Sequence, residues 1–337
     1  MVKRKFNKVV IIHQGALGDL INTIPAIQAV RENCKLLIGI GSDRLKLLQY
    51  CGIIDQAILS EVIAFHTLFS ENFQPPPNLK EIFSGAELAV SWLGRGSKTY
   101  QKNLASLAKK ISIFQEPFPP GPGSEHITKI LAKPVMDAGI EIQNFLPQLC
   151  IPTPDSLARP DPRVCPILVH PGSGSLKKAL PLPKLFQLLE MLAEIFPDQK
   201  LAIISGEVEK RMIFEFVKVC PEKLKPKVQL IPDLPLLRLA ELLSRAELYL
   251  GMDSGPTHLA AALGVKTIAV FGPTDPKVWA PLQKNVKVIA SNYACAPCAD
   301  EKRRECEEPK CMETIDREAI IKTVTHFKLD LKIEKPA

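Results

Sequence analysis

The sequence predicts an α/β protein of two lobes, each built on a parallel β-sheet. Its 337 residues are long for one core and suffice for two domains of about 150 residues each. Short β-branched segments alternate with stretches long enough for a helix, which is the pattern of βαβ units. Four prolines within residues 152–162 make a continued helix or central strand unfavourable there and indicate a domain boundary. We therefore expect Rossmann-like domains at residues 1–155 and 166–312, with a central cleft between them.

The individual elements follow from local patterns. Predicted strands in the first half are Lys8–His13, Lys35–Ile40, Glu87–Leu93 and Lys109–Phe114. Those in the second half are Pro166–His170, Lys200–Ser205, Lys227–Ile231, Glu247–Gly251, Thr267–Phe271 and Val286–Ala290. Apolar residues at helical spacing predict amphipathic helices over Pro183–Phe196 and Asp316–Phe327. The apolar stripe of the last helix could dock on either lobe.

Composition and charge exclude several classes of protein. Hydrophobic residues make up 46% and charged residues 23%, as in globular rather than disordered chains. No apolar run approaches the ~18–20 residues of a membrane-spanning helix. The net charge of +7 favours phosphates, nucleotides or an anionic lipid surface but is too small to indicate a nucleic-acid binder. Five of the nine cysteines are scattered through apolar segments, which suits the cytoplasm.

The first polar motif, GALGD at residues 15–19, follows the first strand and precedes a helix expected to begin near Asn22 or Thr23. Glycines there let the backbone approach a ligand, and a helix N-terminus favours anions. Two interpretations of Asp19 stay open: a carboxylate that caps the helix, and a base that accepts a proton from a hydroxyl.

Three further motifs follow successive predicted strands of the second half. They are HPGSGSLKK at 170–178, GMDSGPTHLAAA at 251–262 and FGPTDP at 271–276. Backbone N–H groups of glycine turns, hydroxyl groups and two lysines are what a phosphate site requires, although an ordinary turn with a solvated lysine pair is the alternative. Because the carboxyl ends of parallel strands lie at one edge of a sheet, we expect the three loops to converge.

These motifs, in this order and spacing, resemble glycosyltransferase family 9, the ADP-heptose:lipopolysaccharide heptosyltransferases, over nearly the whole chain. The resemblance implies a GT-B fold in which the first domain binds the acceptor and the second binds the nucleotide-sugar. It also implies that the C-terminal helix, residues 313–330, packs back on the first domain. The implied activity is metal-independent, inverting transfer of heptose from ADP-heptose to the lipid A/core oligosaccharide of the lipopolysaccharide inner core.

The same resemblance implies roles for individual residues. Asp19 would be the general base and Lys178 would stabilise the diphosphate leaving group. The implied donor-binding residues are Ser173, Gly174, Lys177, Glu207, Asp253, Ser254, Gly255 and His258. The sequence departs from the family pattern in two places: residues 178–181 (KALP) lack the usual Arg-Trp, and His13 stands where Arg or Lys is common. A carboxylate beside a helix N-terminus is also stabilised in its ionised form, which weakens Asp19 as a base.

The other four cysteines, Cys295, Cys298, Cys306 and Cys311, form a C-x2-C-x7-C-x4-C cluster. Four thiolates could hold a structural zinc ion, and free or redox-labile thiols are the alternative. No cofactor is expected to be required for catalysis.

Two rival functions remain at the level of sequence. One is a GT-B transferase that uses another nucleotide-sugar, and the other is a non-catalytic protein of this fold that binds sugar nucleotides or glycans. We expect a cytoplasmic protein that contacts the inner membrane peripherally, because the acceptor is a lipid. We expect no nucleic acid among its partners.

Overall fold

The computed structural model describes residues 5–152 and 166–333, which form two compact units. The first unit comprises Met1–Phe118 and Ile127–Pro152, and the second comprises Pro119–His126 and Thr153–Ala337. The chain passes from one unit to the other at residues 152 and 153, just after the start of the proline-rich stretch. Most of the predicted boundary, residues 153–165, lies outside the described residues.

The first unit is a five-stranded parallel sheet with helices between the strands. Its elements are β1 (Phe6–His13), α1 (Leu17–Asn33), β2 (Cys34–Gly41), α2 (Leu45–Tyr50), β3 (Gln56–Leu59), α3 (Pro77–Phe83), β4 (Leu88–Ser91), α4 (Lys98–Ala105), β5 (Ile111–Ile113) and α5 (Ile127–Asp137). The strand order is β3-β2-β1-β4-β5. Strand β1 is central, and its last five residues are buried, as expected of a strand covered on both faces.

The second unit is a six-stranded parallel sheet with the order β11-β10-β9-β6-β7-β8. Its elements are β6 (Ile167–His170), α6 (Leu182–Ile195), β7 (Leu201–Ser205), α7 (Lys210–Val219), β8 (Val228–Pro232), α8 (Leu236–Leu243), β9 (Leu248–Met252), α9 (Gly255–Ala262), β10 (Lys266–Phe271), α10 (Pro276–Trp279), β11 (Val286–Ala290), α11 (Asp300–Glu305), α12 (Lys310–Glu313) and α13 (Arg317–Ile333). Buried leucines of α6 pack on this sheet and form much of its core. The predicted strands and the two amphipathic helices are thus present, with shifts of a few residues at their ends.

Both sheets reverse their strand order once, and these reversals position the functional loops. In the first sheet the reversal lies between β1 and β4, and in the second it lies between β6 and β9. At such a point the connections leave towards opposite faces, so a crevice opens at the carboxyl ends of the two strands. The GALGD motif follows β1, whereas the two longer motifs at 170–178 and 251–262 follow β6 and overlap the end of β9.

Two local predictions in the first unit were wrong. Helix α1 begins at Leu17, not near Asn22, because Asp19 at its third position accepts a hydrogen bond from the Ala16 backbone N–H at 3.2 Å and stabilises the first turn. Strand β3 was missed because it has only four residues, none of them buried, at an edge of the sheet.

Helix α13 belongs to the second unit, whereas the family resemblance implied that residues 313–330 pack back on the first. Its Ile320, Val324 and Phe327 side chains are buried in the second core. The helix contacts α6, β10 and β11. The apolar stripe predicted from its spacing is therefore buried against the second unit.

The proline- and glycine-rich loop before α5 also belongs to the second unit, although the first unit contains the chain on both sides of it. The Gly123 backbone N–H donates to Oδ2 of Asp275 at 2.9 Å, and a ring nitrogen of His126 lies 2.9 Å from the Ala280 carbonyl oxygen. The loop is therefore held by specific hydrogen bonds to the segment around α10.

Candidate functional site

Three loops of the second unit meet at one edge of its sheet. In the parallel register, His170 at the end of β6 lies opposite Gly251, and Met252 lies opposite Val270 of β10. The segments that follow these strand ends carry the motifs at 170–178, 251–262 and 271–276. The convergence expected from parallel strands is therefore present, at the reversal of strand order where α/β proteins bind ligands.

An ion pair between Lys178 and Asp253 links two of these loops. The Lys178 Nζ atom lies 3.0 Å from Oδ2 of Asp253, and Thr274 from the third loop donates its hydroxyl to the same oxygen at 2.7 Å. His258, in the first turn of α9, brings its Nε2 atom to within 3.9 Å of the other carboxylate oxygen. One carboxylate thus holds side chains from all three loops.

Asp253 remains ionised although it is only 7% exposed. Burial works against its charge, but the Lys178 ammonium, His258 and the Thr274 hydroxyl outweigh that penalty and hold the pKa of the carboxyl well below its usual range. The site therefore contains an opposed pair of fixed charges, and Lys178 is oriented by its partner.

The N-terminus of α9 is uncapped because its N-cap side chain is used elsewhere. Ser254 makes no side-chain cap hydrogen bond, and its Oγ lies 3.2 Å from Nδ1 of His170 and 3.1 Å from Oγ1 of Thr257. Burial lowers the pKa of His170 to about 4, so the imidazole is neutral at pH 7. The backbone N–H of Gly255, which begins the helix, is thereby left without a cap from Ser254, as an anion site at a helix N-terminus requires.

Of the two nearby glutamates, the structure brings Glu209 to this network and not the predicted Glu207. The Glu207 side chain is 76% exposed and pairs with Lys210. Glu209 is only 5% exposed, accepts a hydrogen bond from the Gly206 N–H at 2.8 Å, and places Oε2 at 3.9 Å from Nε2 of His170. Sequence inspection missed Glu209, because the two residues flank one valine and only the turn after β7 decides which of them faces inward.

The remaining predicted donor-binding residues do not all lie at the Asp253 carboxylate. Ser173 is buried and donates its hydroxyl to the Asp253 carbonyl oxygen at 2.9 Å. Gly174 is exposed, with open space where a side chain would stand. Lys177 turns away from Asp253 and donates to the carbonyl oxygen of Arg304. The two adjacent lysines therefore have different partners, and of the two only Lys178 pairs with the Asp253 carboxylate.

The four clustered cysteines line one small pocket together, but not as a set of metal ligands. Cys295, Cys298, Cys306 and Cys311 share this pocket with Lys177. The Cys298 thiol donates to the Cys295 carbonyl oxygen at 3.0 Å, and burial raises the pKa values of Cys298 and Cys311, the latter to about 11. Within residues 5–152 and 166–333, no group of three or more His, Cys, Asp or Glu side chains could hold a metal ion. The structure thus brings the four cysteines to one pocket but does not arrange them as the predicted zinc site.

In the first unit, Asp19 lies where β1 gives way to α1. Its carboxylate caps the helix, and the space beside it is tight: a side chain at Gly15 would come within 2.9 Å of Cε1 of His13 and 3.0 Å of the Asp19 Cβ. His13 is buried, with Nε2 at 3.3 Å from the hydroxyl of Thr23. Burial, assisted by the charge of Arg44, lowers the pKa of His13 to about 4, so this residue is neutral at pH 7.

The fold and these sites define a class of protein. Two parallel-sheet α/β units, each with polar loops at the reversal of strand order, are the architecture of the GT-B glycosyltransferases. The fold is shared with a solved structure: the chain is similar to Escherichia coli ADP-heptose lipopolysaccharide heptosyltransferase II, with a TM-score of 0.66, 15% identity, and coverage of 96% of this chain and 99% of that one.

Sequence comparisons point to one family within that class. Residues 197–310 match the family model of glycosyltransferase family 9 (heptosyltransferase). The chain is 30% identical over 118 residues to lipooligosaccharide heptosyltransferase 2 of Campylobacter jejuni, and 30% identical over 162 residues to lipopolysaccharide heptosyltransferase 1 of Campylobacter coli. These alignments cover 35% and 47% of this chain, and 37% and 45% of the two relatives, so the chain spans less than half the length of the relatives it matches. Within residues 197–310 the chain is therefore similar to glycosyltransferase family 9, and the solved structure shares its fold over nearly the whole length.

Proposed function

We propose that this protein transfers heptose from ADP-heptose to the inner core of lipopolysaccharide, by an inverting and metal-independent reaction. The observation that carries the proposal is the charged pair Lys178–Asp253 beside the uncapped N-terminus of α9, at the reversal of strand order in the second sheet. A fixed cation next to open backbone N–H groups is suited to a diphosphate. The names of the matched relatives supply the sugar and the acceptor.

On the donor side, the second unit provides charge and orientation. Lys178 and the N–H groups at the start of α9 stabilise the negative charge that develops on the departing ADP, which is the task a divalent cation performs in other transferases. Asp253 orients Lys178, while His258 and Ser173 hold the loops in place. We assign to Glu209, which is buried beside His170, the role of accepting hydrogen bonds from the donor's hydroxyl groups.

On the acceptor side, the first unit provides the base. An acceptor hydroxyl oxygen attacks the anomeric carbon as the bond from that carbon to the diphosphate oxygen breaks, and Asp19 takes the hydroxyl proton. A single displacement of this kind inverts the anomeric configuration. Asp19 is also the cap of α1, so the two interpretations left open by the sequence are compatible: the cap hydrogen bond fixes the carboxylate that acts as the base.

The proposed location follows from the acceptor. We place the enzyme in the cytoplasm, working at the face of the inner membrane where its lipid acceptor is made. Among residues 5–152 and 166–333, no helix is both long and apolar enough to cross a bilayer. We propose that the contact with the membrane is peripheral.

The test is transfer itself, with purified full-length protein, ADP-heptose and a heptose-deficient lipopolysaccharide acceptor. We expect turnover that persists in EDTA and falls at least about 100-fold in Asp19→Asn, the usual size of a lost general base. Near-normal turnover of Asp19→Asn would remove Asp19 from the mechanism. Loss of activity in EDTA that added metal restores would show that the reaction needs a metal.

A pair of glutamate variants separates the two donor-site assignments. Glu209→Gln should raise the KM for ADP-heptose about tenfold, because a charge-assisted hydrogen bond is lost. Glu207→Gln removes the same charge from an exposed position and should have a much smaller effect. The opposite order would restore Glu207 as the donor-binding residue.

The rival functions give different results in the same assays. If another nucleotide-sugar, and not ADP-heptose, raises the thermal unfolding temperature and is consumed, the protein is a GT-B transferase with a different donor. If ADP-heptose binds but no acceptor is modified in a single turnover, the protein is a non-catalytic binding protein.

A further inference from the structure

The second unit contains an apolar pocket that the proposed reaction does not use. It lies between α6, the start of α13 and the strands β9 and β10, on the face of the sheet that these two helices cover. Its lining includes the buried side chains of Leu188, Met191, Leu250, Met252 and Ile320. Apolar cavities hold water poorly and take up small apolar ligands, so this pocket is suited to a hydrocarbon group.

Two cations stand at the solvent end of this pocket. Lys184, in the first turn of α6, is half-buried, and Arg317, the first residue of α13, is exposed. Apart from Gln187, which is also exposed, the other lining residues are buried, so these polar side chains mark the mouth. Lysine and arginine stems commonly lie along apolar surface while the charged heads stay in water. The pocket is therefore an apolar cavity with a positively charged mouth.

The charges at the mouth are not balanced by acidic side chains of the pocket. Among the residues that the structure describes, no Asp or Glu lines the pocket, and the side chains of Lys184 and Arg317 make no ion pair or hydrogen bond. The neighbouring Asp316 is the cap of α13, because its Oδ1 accepts from the Ala319 N–H at 3.1 Å. Both cations also lie in the first turn of a helix, where the macrodipole disfavours positive charge. An anionic group at the mouth would be attracted by both cations and by both helix ends.

The pocket adjoins the donor loops without including their charged groups. Leu180 lines the pocket two residues after Lys178, and its N–H donates to the Pro171 carbonyl oxygen at 2.8 Å. Met252, which also lines it, directly precedes Asp253. Lys178 and Asp253, which both belong to the described part of the chain, are not among the lining residues. A ligand in the pocket would therefore leave these two residues free to meet a diphosphate.

We propose that this pocket is a binding site for an anionic amphiphile, a short alkyl chain that ends in a carboxylate or a phosphate. The chain lies among the side chains of Leu188, Met191 and Ile320, and the anionic head binds Lys184 and Arg317. This site is separate from the donor and acceptor sites of the proposed function, so its ligand can be measured whether or not the protein transfers heptose.

The test is isothermal titration calorimetry of the purified full-length protein without nucleotide. The probes are octanoate, octyl phosphate, their six-carbon counterparts hexanoate and hexyl phosphate, and neutral 1-octanol. We expect at least one eight-carbon anion to bind about tenfold more tightly than 1-octanol, the size of a charged hydrogen-bonded pair. The same anion should bind about tenfold more tightly than its six-carbon counterpart, because two further methylene groups leave water. Comparison of octanoate with octyl phosphate shows which head group is preferred.

The double variant Lys184→Gln/Arg317→Gln should abolish the preference for the anion and leave the binding of 1-octanol unchanged. The matched control is Lys200→Gln/Lys322→Gln, which removes two positive charges from exposed positions of the second unit that do not line the pocket. This control should keep the preference. Binding of the anion should also persist at saturating ADP, because the donor residues lie outside the pocket.

Four outcomes would overturn the inference. They are a Kd above about 10 mM for both eight-carbon anions, a preference that persists in Lys184→Gln/Arg317→Gln, an equal loss of preference in the control, and displacement of the anion by ADP. The last result would place the anion at the donor phosphates instead. Failure of the proposed function is recognised separately, because it appears as absent heptose transfer and does not alter these titrations.

Discussion

At the scale of single residues, Asp253 is the side chain on which the candidate donor site depends. It accepts from Lys178 and Thr274, lies within 3.9 Å of His258, and is almost fully buried. A buried carboxylate is tolerated when its partners compensate the loss of hydration, and here the partners come from three loops. The same interactions that keep the carboxylate ionised therefore also hold the loops together.

We expect Asp253→Asn to lower the free energy of unfolding by about 3 kcal/mol at pH 7, because it leaves the Lys178 charge without its partner. The pKa of Asp253 is held below its unfolded value of about 3.9, so this stabilisation is present above pH ~4 and is lost as acid protonates the native carboxylate. Urea denaturation at several pH values should show the difference from wild type shrinking below pH 4. A difference that stays constant down to pH 2 would contradict the assignment.

Asp233→Asn is the matched control for that measurement. Asp233 is also paired with a lysine, Lys210, at 3.3 Å, but its side chain is 56% exposed. Exposed ion pairs contribute little to stability, so this variant should unfold like the wild type at every pH.

At the scale of elements, helix α13 shows how an amphipathic pattern identifies a buried face without identifying its partner. The 3.6-residue spacing of its apolar side chains correctly predicted which face is buried. Which lobe receives that face depends on where the complementary surface lies, and the helix packs with α6, β10 and β11. Periodicity holds no information about that choice.

We expect Phe327→Ala, in α13, to destabilise the second unit by about 3 kcal/mol, because it leaves a cavity where a ring is now 4% exposed. The control is Phe214→Ala in α7, a ring that is 60% exposed and should matter by less than about 1 kcal/mol. Both are measured by urea denaturation followed by circular dichroism. Equal effects would show that α13 does not pack as described.

The end of β2 permits a second element-scale prediction. A side chain at Gly41 would come within 2.0 Å of the His13 backbone carbonyl oxygen, and a backbone atom cannot move aside as a flexible side chain can. Gly41→Ala should therefore destabilise the first unit by about 3 kcal/mol. Gly121→Ala, where nothing lies within 4 Å, should be neutral in the same denaturation assay.

At the scale of the whole molecule, we assign the acceptor to the first unit and the donor to the second, and each unit contains one tryptophan. Trp92 belongs to the first unit and Trp279 to the second. If the second unit binds the donor, ligand binding should stabilise that unit more than the first. The two tryptophans allow the stability of each unit to be followed separately.

We expect ADP at about 100 times its Kd to stabilise the second unit by about 2.7 kcal/mol. In Trp92→Phe, the thermal transition reported by Trp279 should rise with ADP. In Trp279→Phe, the transition reported by Trp92 should rise less. A rise confined to the Trp92 signal would place the nucleotide in the first unit and would contradict the proposal.

Much of the fold and part of the site could be predicted from the sequence. The alternation of strands and helices, the two units and the three converging loops follow from periodicity and from the geometry of parallel sheets. The start of α1 was predicted wrongly, because a cap formed by Asp19 extends the helix through a glycine. Strand β3 could not, because a short edge strand is stabilised by its neighbour Ile38–Gly41 more than by its own residues.

The sequence by itself determined which segments form the two sheets, except for β3, and which loops carry glycine, serine, lysine and aspartate, since these depend on local pattern and on the order of elements. Only the tertiary structure decided that Glu209 and not Glu207 lies against His170, that Lys178 and not Lys177 pairs with Asp253, and that α13 belongs to the second unit. The physical reason is that packing between segments that lie far apart in the chain decides both the direction of each side chain and the partner of each apolar face. Neighbouring residues of equal chemistry, such as the two lysines, differ only in that direction.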